Sequence, residues 1–125
     1  MQAKCPCEKN GMEQIKVENF LELVDFEKHG GLIPAIIQDD ITKEVLMVGF
    51  MNKEALEKTL KEGRVTYFSR TKERLWTKGE TSGNFQVVQN IFLDCDNDSL
   101  LILIEQKGSV CHTGKNTCFF KHVNL

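Results

Sequence analysis

The chain has 125 residues, a formal net charge of −2 at neutral pH, 41% hydrophobic residues and 27% charged residues. That length holds one ordinary domain, and the proportions are those of a globular chain rather than a disordered one. The slight acidity argues against general nucleic-acid affinity, which needs a basic surface, and no apolar run approaches the roughly 20 residues of a membrane span.

The amino terminus, "MQAKCPCEKN", lacks the apolar core of a secretory signal, so a cytoplasmic location with free thiols is expected. Five cysteines, an odd number, fit poorly with a disulfide framework. Residues 1–19 read as a loose tail and 20–125 as one domain. "LIPAIIQDD" (32–40) and "EVLMVGFM" (44–51) are short apolar runs separated by polar residues, a strand, a turn and a strand. In "NKEALEKTLKEG", Asn52 is placed as an N-cap and Gly63 as a stop, with Ala55, Leu56, Thr59 and Leu60 at helical spacing, which predicts a helix over about 53–62. "RVTYFS" (64–69) is β-branched and aromatic, and "NFQVVQNIFLDC" sets Phe85, Val87, Ile91 and Leu93 on one face by alternation. "SLLILIEQ" (99–106) is apolar until Glu105, as expected of a strand covered on both faces. The predicted class is α+β, mostly strands with one clear helix.

Chemistry concentrates in three places. "DCDNDS" (94–99) lies between two predicted strands, where Asp and Asn are ordinary turn residues. Three carboxylates in one turn also repel, and a divalent cation offsets that repulsion. Extended backbone would put Asp94, Asp96 and Asp98 on one side and Cys95 on the other. Hard magnesium suits the oxygens and zinc suits thiolate, which suggests two different metals. Cys111 and Cys118, in the polar loop "CHTGKNTC", supply further sulfur. Three cysteines suit an open, catalytic zinc better than a closed one, although plain buried or surface thiols are the alternative. His112, next to Cys111, reads either as a surface histidine or as a general base. The third place, "SRTKERLWTKGETSGN" (69–84), gathers Arg70, Lys72, Arg74 and Lys78 around Trp76 and ends in small residues whose amides can approach an anion. Its two readings are a phosphate-and-ring site and a long solvated hairpin loop. It contains neither a P-loop nor a dinucleotide fingerprint.

Together, "LIPAIIQDD", "EVLMVGFMNKEAL", "RLWTKGETSGN", "DCDND" and "CHTGKNTCF" resemble phosphoribosyl-AMP cyclohydrolase, an enzyme family of histidine biosynthesis, over about residues 32–120. The resemblance implies hydrolytic opening of the adenine ring of phosphoribosyl-AMP by zinc-activated water, with one zinc per subunit and magnesium. It also implies a homodimer with the active site at the subunit interface. Position by position, Cys95, Cys111 and Cys118 look like zinc ligands, Asp94, Asp96 and Asp98 like magnesium ligands, and His112 like the base. Arg70, Arg74, Trp76, Lys78, Glu80, Thr81, Ser82, Gly83 and Asn84 are the candidates for holding the nucleotide, Glu80 alternatively forming a structural ion pair. Near Phe26 the chain reads "FEKHGG" with no arginine, so no basic role is expected there. Ending at Leu125, it leaves no room for the pyrophosphatase that follows in some relatives, and a monofunctional protein is expected. Two rivals remain for contrast. A nucleobase deaminase calls for His-x-Glu and Cys-x-x-Cys, neither of which occurs. A structural zinc module would close its site with Cys5 or Cys7.

Overall fold

The structure, a computed structural model, describes residues 13–110 and 114–125. Helix α1 (Val17–Leu23) and a 3-10 turn (Glu27–His29) lead into strands β1 (Ile33–Asp39) and β2 (Val45–Met51). Helix α2 (Lys53–Glu62) follows, then β3 (Thr66–Ser69), β4 (Arg74–Thr77), β5 (Gln86–Leu93) and β6 (Leu100–Gln106). The predicted hairpin, helix and later strands are all present, and the class is α+β as expected. α2 has the predicted ends: Asn52 Oδ1 accepts from the Ala55 amide, and Gly63, at φ 74°, donates to Thr59. α1 was not foreseen. It begins inside the expected tail, and with seven residues it has too few turns to show a period.

Four strands form one sheet in the order β2-β1-β6-β5, with β1 and β6 parallel in the centre and an antiparallel strand on each side. Ile33, Ala35 and Ile37 of β1 and Leu100, Ile102 and Ile104 of β6 point to one face and are buried there. α2 and the β3–β4 ribbon form the second layer over that face, contributing Ala55, Leu56, Val65 and Tyr67 to the same core. The ribbon stays joined to β5 through an Arg64–Val87 bridge and the Val65 amide on Gln86 O at 3.0 Å. β4 lies within the stretch otherwise taken as a loop. Four residues among lysines and arginines give no alternation to read, and pairing with β3 makes them a strand.

The alternation predicted for β5 breaks at its middle. The register shifts between Val88 and Asn90, a β-bulge, so Gln86 and Val88 share the inner face with Ile91 and Leu93. One extra residue exchanges the two faces. Phe85, grouped by alternation on one face with Ile91 and Leu93, instead lies beneath the Arg64 guanidinium at 4.0 Å from the ring centroid. Buried Gln86 is satisfied by the Tyr67 hydroxyl at 2.6 Å and by Gln106 at 3.1 Å.

The outer sheet face carries an apolar row across all four strands: Val48 pairs with Ile36, Ile36 with Leu101, and Leu101 with Phe92. Ile36 and Val48 are 38% and 44% exposed. On the outer side of β6, Leu103 is buried and Leu101 half-buried, so the double covering read for this strand largely holds, and the open apolar surface lies beside it at Ile36 and Val48. An antiparallel edge facing water would ordinarily alternate to polar residues there.

Gly49 on the inner face of β2 is where Tyr67 crosses, and a Cβ at this position would collide with the Tyr67 ring. Gly49→Ala should therefore destabilise the fold by about 1–3 kcal/mol, the usual cost of overpacking a core, measured as a lower urea midpoint with an unchanged slope. A midpoint equal to wild type would show that Tyr67 moves aside freely.

Candidate metal centre

The turn between β5 and β6 is built by its first aspartate. Asp94 donates its amide to Ser99 O at 3.0 Å and accepts at Oδ1 from the amides of Asp98 (2.9 Å) and Ser99 (3.1 Å). Its Oδ2 accepts from the Ser99 hydroxyl at 2.6 Å. Asn97 completes the reversal at φ 64°, left-handed backbone that Asn tolerates better than most residues. Asp94, Asp96 and Asp98 converge as expected, each offering an oxygen within 4.8 Å of the others. The cause differs from the one expected: the backbone curls through a turn, and extended alternation plays no part.

Burial works to raise the Asp94 pKa, but the Ser99 hydroxyl and the two amides outweigh it and hold the carboxyl below the ordinary range. Asp96 and Asp98 have a different partner. Lys28 Nζ stands 3.2 Å from Asp96 Oδ2 and 3.0 Å from Asp98 Oδ2, and His29 Nε2 lies 3.4 Å from Asp98 Oδ2. Hydrogen bonds to Asp98 and then Asp96 raise the Lys28 pKa to about 12. The segment "FEKHGG", from which no basic role was expected, thus delivers Lys28 and His29 to the acid turn. Gly31 N to Phe26 O (2.7 Å) and left-handed Gly30 close its 3-10 turn, and the Asp25 amide bonds to Asn97 O at 2.7 Å. Three carboxylates whose charge one ammonium offsets only in part have the donor chemistry that suits a hard divalent cation, with waters filling the remaining positions.

The sulfur side is divided. Cys95, in the acid turn, and Cys118 are both exposed. Cys5, Cys7, Cys111 and His112 lie outside the described residues. Cys118 is fixed to the far end of the sheet, its amide bonding to Leu46 O at 2.8 Å. Leu93 and Leu100, the last pair before the acid turn, stand level with Ala35, whereas Leu46 stands level with Ile37 and Gln38 two strands away. At about 3.3 Å per residue and 4.8 Å per strand, and with the turn projecting the other way, Cys95 and Cys118 of one chain are on the order of 15 Å apart. Two thiolates on one zinc, each at about 2.3 Å from it, cannot be that far apart.

The basic segment is partly engaged within the fold. Arg70 lies over the Phe50 ring at 4.1 Å, and Arg74 faces Glu80 at 3.6 Å, the structural ion pair considered for that glutamate. Trp76 packs against Tyr67 with ring centroids 5.7 Å apart. Lys78 donates to Val110 O at 2.5 Å. Thr81, Ser82 and Gly83 are exposed at the tip, and Asn84 is half-buried, filling the space beside Gly108. Lys28 and His29 are what sequence reasoning missed; nothing local in "FEKHGG" announces a contact with Asp98, about 70 residues further on.

Comparison with known proteins bears on the same residues. The family model for phosphoribosyl-AMP cyclohydrolase matches residues 47–120, more than half of the chain and all of the segments just described except the Lys28 turn. The phosphoribosyl-AMP cyclohydrolase of Clostridium beijerinckii is 56% identical over 101 residues, covering 81% of this chain and 93% of that protein. The same-named protein of Clostridium botulinum is 49% identical over 107 residues, covering 86% and 98%. A histidine biosynthesis bifunctional protein of Bacteroides thetaiotaomicron is 64% identical over 96 residues, covering 77% of this chain and 47% of that protein. The chain spans about half the length of the bifunctional relatives it matches.

Asp94→Asn should lower stability at neutral pH by about 1 kcal/mol, since it weakens charge-assisted hydrogen bonds within the turn. A depressed folded pKa contributes stability above the ordinary value of 3.8 that is lost as pH falls through the folded value. Urea midpoints of variant and wild type should therefore converge below about pH 4. A gap that persists unchanged into strong acid would contradict the assigned ionisation.

Proposed function

This chain belongs to the phosphoribosyl-AMP cyclohydrolase family, and from that premise we propose that it opens the adenine ring of 1-(5-phosphoribosyl)-AMP by hydrolysis, a step of histidine biosynthesis, in the cytoplasm. The observation that carries the proposal is that the family match contains the acid turn, the basic segment and both ends of the "CHTGKNTC" loop in one run, residues 47–120. Among the described residues no helix is long and apolar enough to cross a membrane.

The reaction adds water to the purine carbon bonded to both the ribosylated ring nitrogen and the exocyclic nitrogen. The bond to the ring nitrogen then breaks, that nitrogen takes a proton, and the attacked carbon becomes a carboxamide. Cys95, Cys111 and Cys118 would hold zinc, one per subunit, whose chemistry is to make water a competent nucleophile near neutral pH. His112 would take the water's proton, and Asp94, Asp96 and Asp98 would hold magnesium. Arg70, Arg74 and the exposed tip Thr81–Gly83 would receive the phosphoribosyl groups, with Trp76 forming the wall behind them.

The separation of Cys95 from Cys118 within one chain supports a site completed by a second copy. Cys95 of one protomer would meet Cys111 and Cys118 of its partner in a homodimer. The apolar row Val48, Ile36, Leu101 and Phe92 gives that partner a surface to cover, since a patch reaching across a whole sheet is unusual on a free monomer. Within one chain, a closed four-thiolate site would meet the same distance constraint.

Purified protein mixed with phosphoribosyl-AMP should show the absorbance change of ring opening, abolished by a zinc chelator and restored by zinc. His112→Ala should keep its zinc and lose roughly 10²–10⁴-fold in turnover, the usual worth of a general base. Turnover indifferent to chelator would overturn the zinc reading; a loss under about tenfold in His112→Ala would remove the base from that residue.

A further inference from the structure

Val110, just before the loop "CHTGKNTC", and Thr117, near its end, make contacts that have no role in the reaction as proposed. At its start, Lys78 reaches from the end of β4 and donates to the carbonyl of Val110, the residue before Cys111, at 2.5 Å. Val110 is 1% exposed, and Lys78 ion-pairs with no carboxylate among the described residues; its other neighbour is the Trp76 ring at 5.4 Å. A half-buried ammonium with a carbonyl as its partner is a charge-assisted anchor on that backbone. Beside this contact, Gly79 and Gly108 both lie tight against Asn84. A Cβ at Gly79 would stand 2.5 Å from the Asn84 carbonyl carbon, and one at Gly108 would strike the Asn84 side chain. At the other end, the Thr117 hydroxyl donates to Val45 O at 2.8 Å and Leu46 O at 3.1 Å and accepts from the Phe119 amide at 3.1 Å, beside the Cys118 amide bond to Leu46.

We infer that Lys78 and Thr117 are positioning residues: Lys78 pins the backbone at Val110, where the chain enters the thiol loop, to the β4 end of the ribbon, and Thr117 pins the backbone beside Cys118 to β2, which limits the ordering that metal binding must impose on the loop. The inference rests on Cys111 and Cys118 being zinc ligands. It moves Lys78 from the phosphate ligands to the scaffold of the metal loop. A zinc site formed from a floppy loop must order that loop on binding, and pinned ends remove part of that cost.

The test uses full-length Lys78→Met, which keeps the apolar stem over Trp76, and isosteric Thr117→Val, with Thr117→Ser to restore the hydroxyl. In the zinc-free proteins, amide hydrogen exchange at 108–110 and 117–119 should quicken by about tenfold or more in Lys78→Met and Thr117→Val, with α2 and β6 unchanged and Thr117→Ser near wild type. Zinc should pass to a competing chelator at about tenfold lower chelator concentration. With zinc saturating, KM for phosphoribosyl-AMP should stay within about threefold of wild type. Unchanged exchange and unchanged zinc retention would overturn the inference, and a large rise in KM with zinc retained would make Lys78 a phosphate ligand after all. Quickened exchange in proteins that never bind zinc would instead uphold the pins and sink the zinc reading beneath them.

Discussion

The parallel pairing of β1 with β6 fixes how far the acid turn stands from Cys118. Because Ala35 is level with Leu100 and Ile37 with Ile102, the turn that enters β6 and the start of β2 are forced to opposite ends of one sheet. The acid turn and Cys95 go with the first end, Cys118 with the second. The same central pair is buried on its inner side by α2 and the β3–β4 ribbon, so no small adjustment brings the two ends together. Under the proposed function, a zinc that needs both would be completed by another copy, and the outward apolar row lies on the sheet that such a copy would cover.

Electrostatics at the acid turn divides one cluster into two jobs. Asp94 accepts from two amides and one hydroxyl that shape the turn, leaving Oδ2 one further acceptor position, and these bonds hold its pKa down even as burial opposes it. Asp96 and Asp98 are held by Lys28, an ammonium at the end of a flexible stem. Such a tethered monocation keeps the carboxylates from repelling one another, and a divalent ion has to displace it or share the carboxylates with it. The Lys28–Asp96 pair is exposed on both sides and of a kind that is individually weak, whereas the Asp98 carboxylate is mostly covered. Lys28 therefore offsets part of the charge at the cluster.

How much of this was legible depended on whether the signal was local. α2 announced itself through Asn52, Gly63 and three buried positions at helical spacing, and the β1–β2 hairpin through two apolar runs around "DDITK". The aspartates were recognisable by their charge density, and they converge, although through the left-handed Asn97 rather than by strand alternation. What failed was non-local. The bulge at Val88–Asn90 reverses the faces of β5 in a sequence that alternates on either side of it, and "RLWT" becomes a strand only because β3 is there to pair with. Lys28 and His29 meet Asp98 through tertiary packing, with no trace in the spacing of either segment. Glu80 was open between a polar contact and an ion pair, and Arg74 supplies the pair.

The central claim is that one zinc site draws on two chains, and subunit mixing tests it most directly. Cys95→Ser and Cys118→Ser proteins, each inactive alone, would be unfolded together and refolded with zinc, beside a wild-type control. Each mixed dimer then contains one doubly damaged site and one intact site. With random pairing, about a quarter of all sites should regain ring-opening activity, accompanied by mixed dimers detectable by mass. Proven mixed dimers that remain inactive would contradict the shared site and return all three thiols to a single chain.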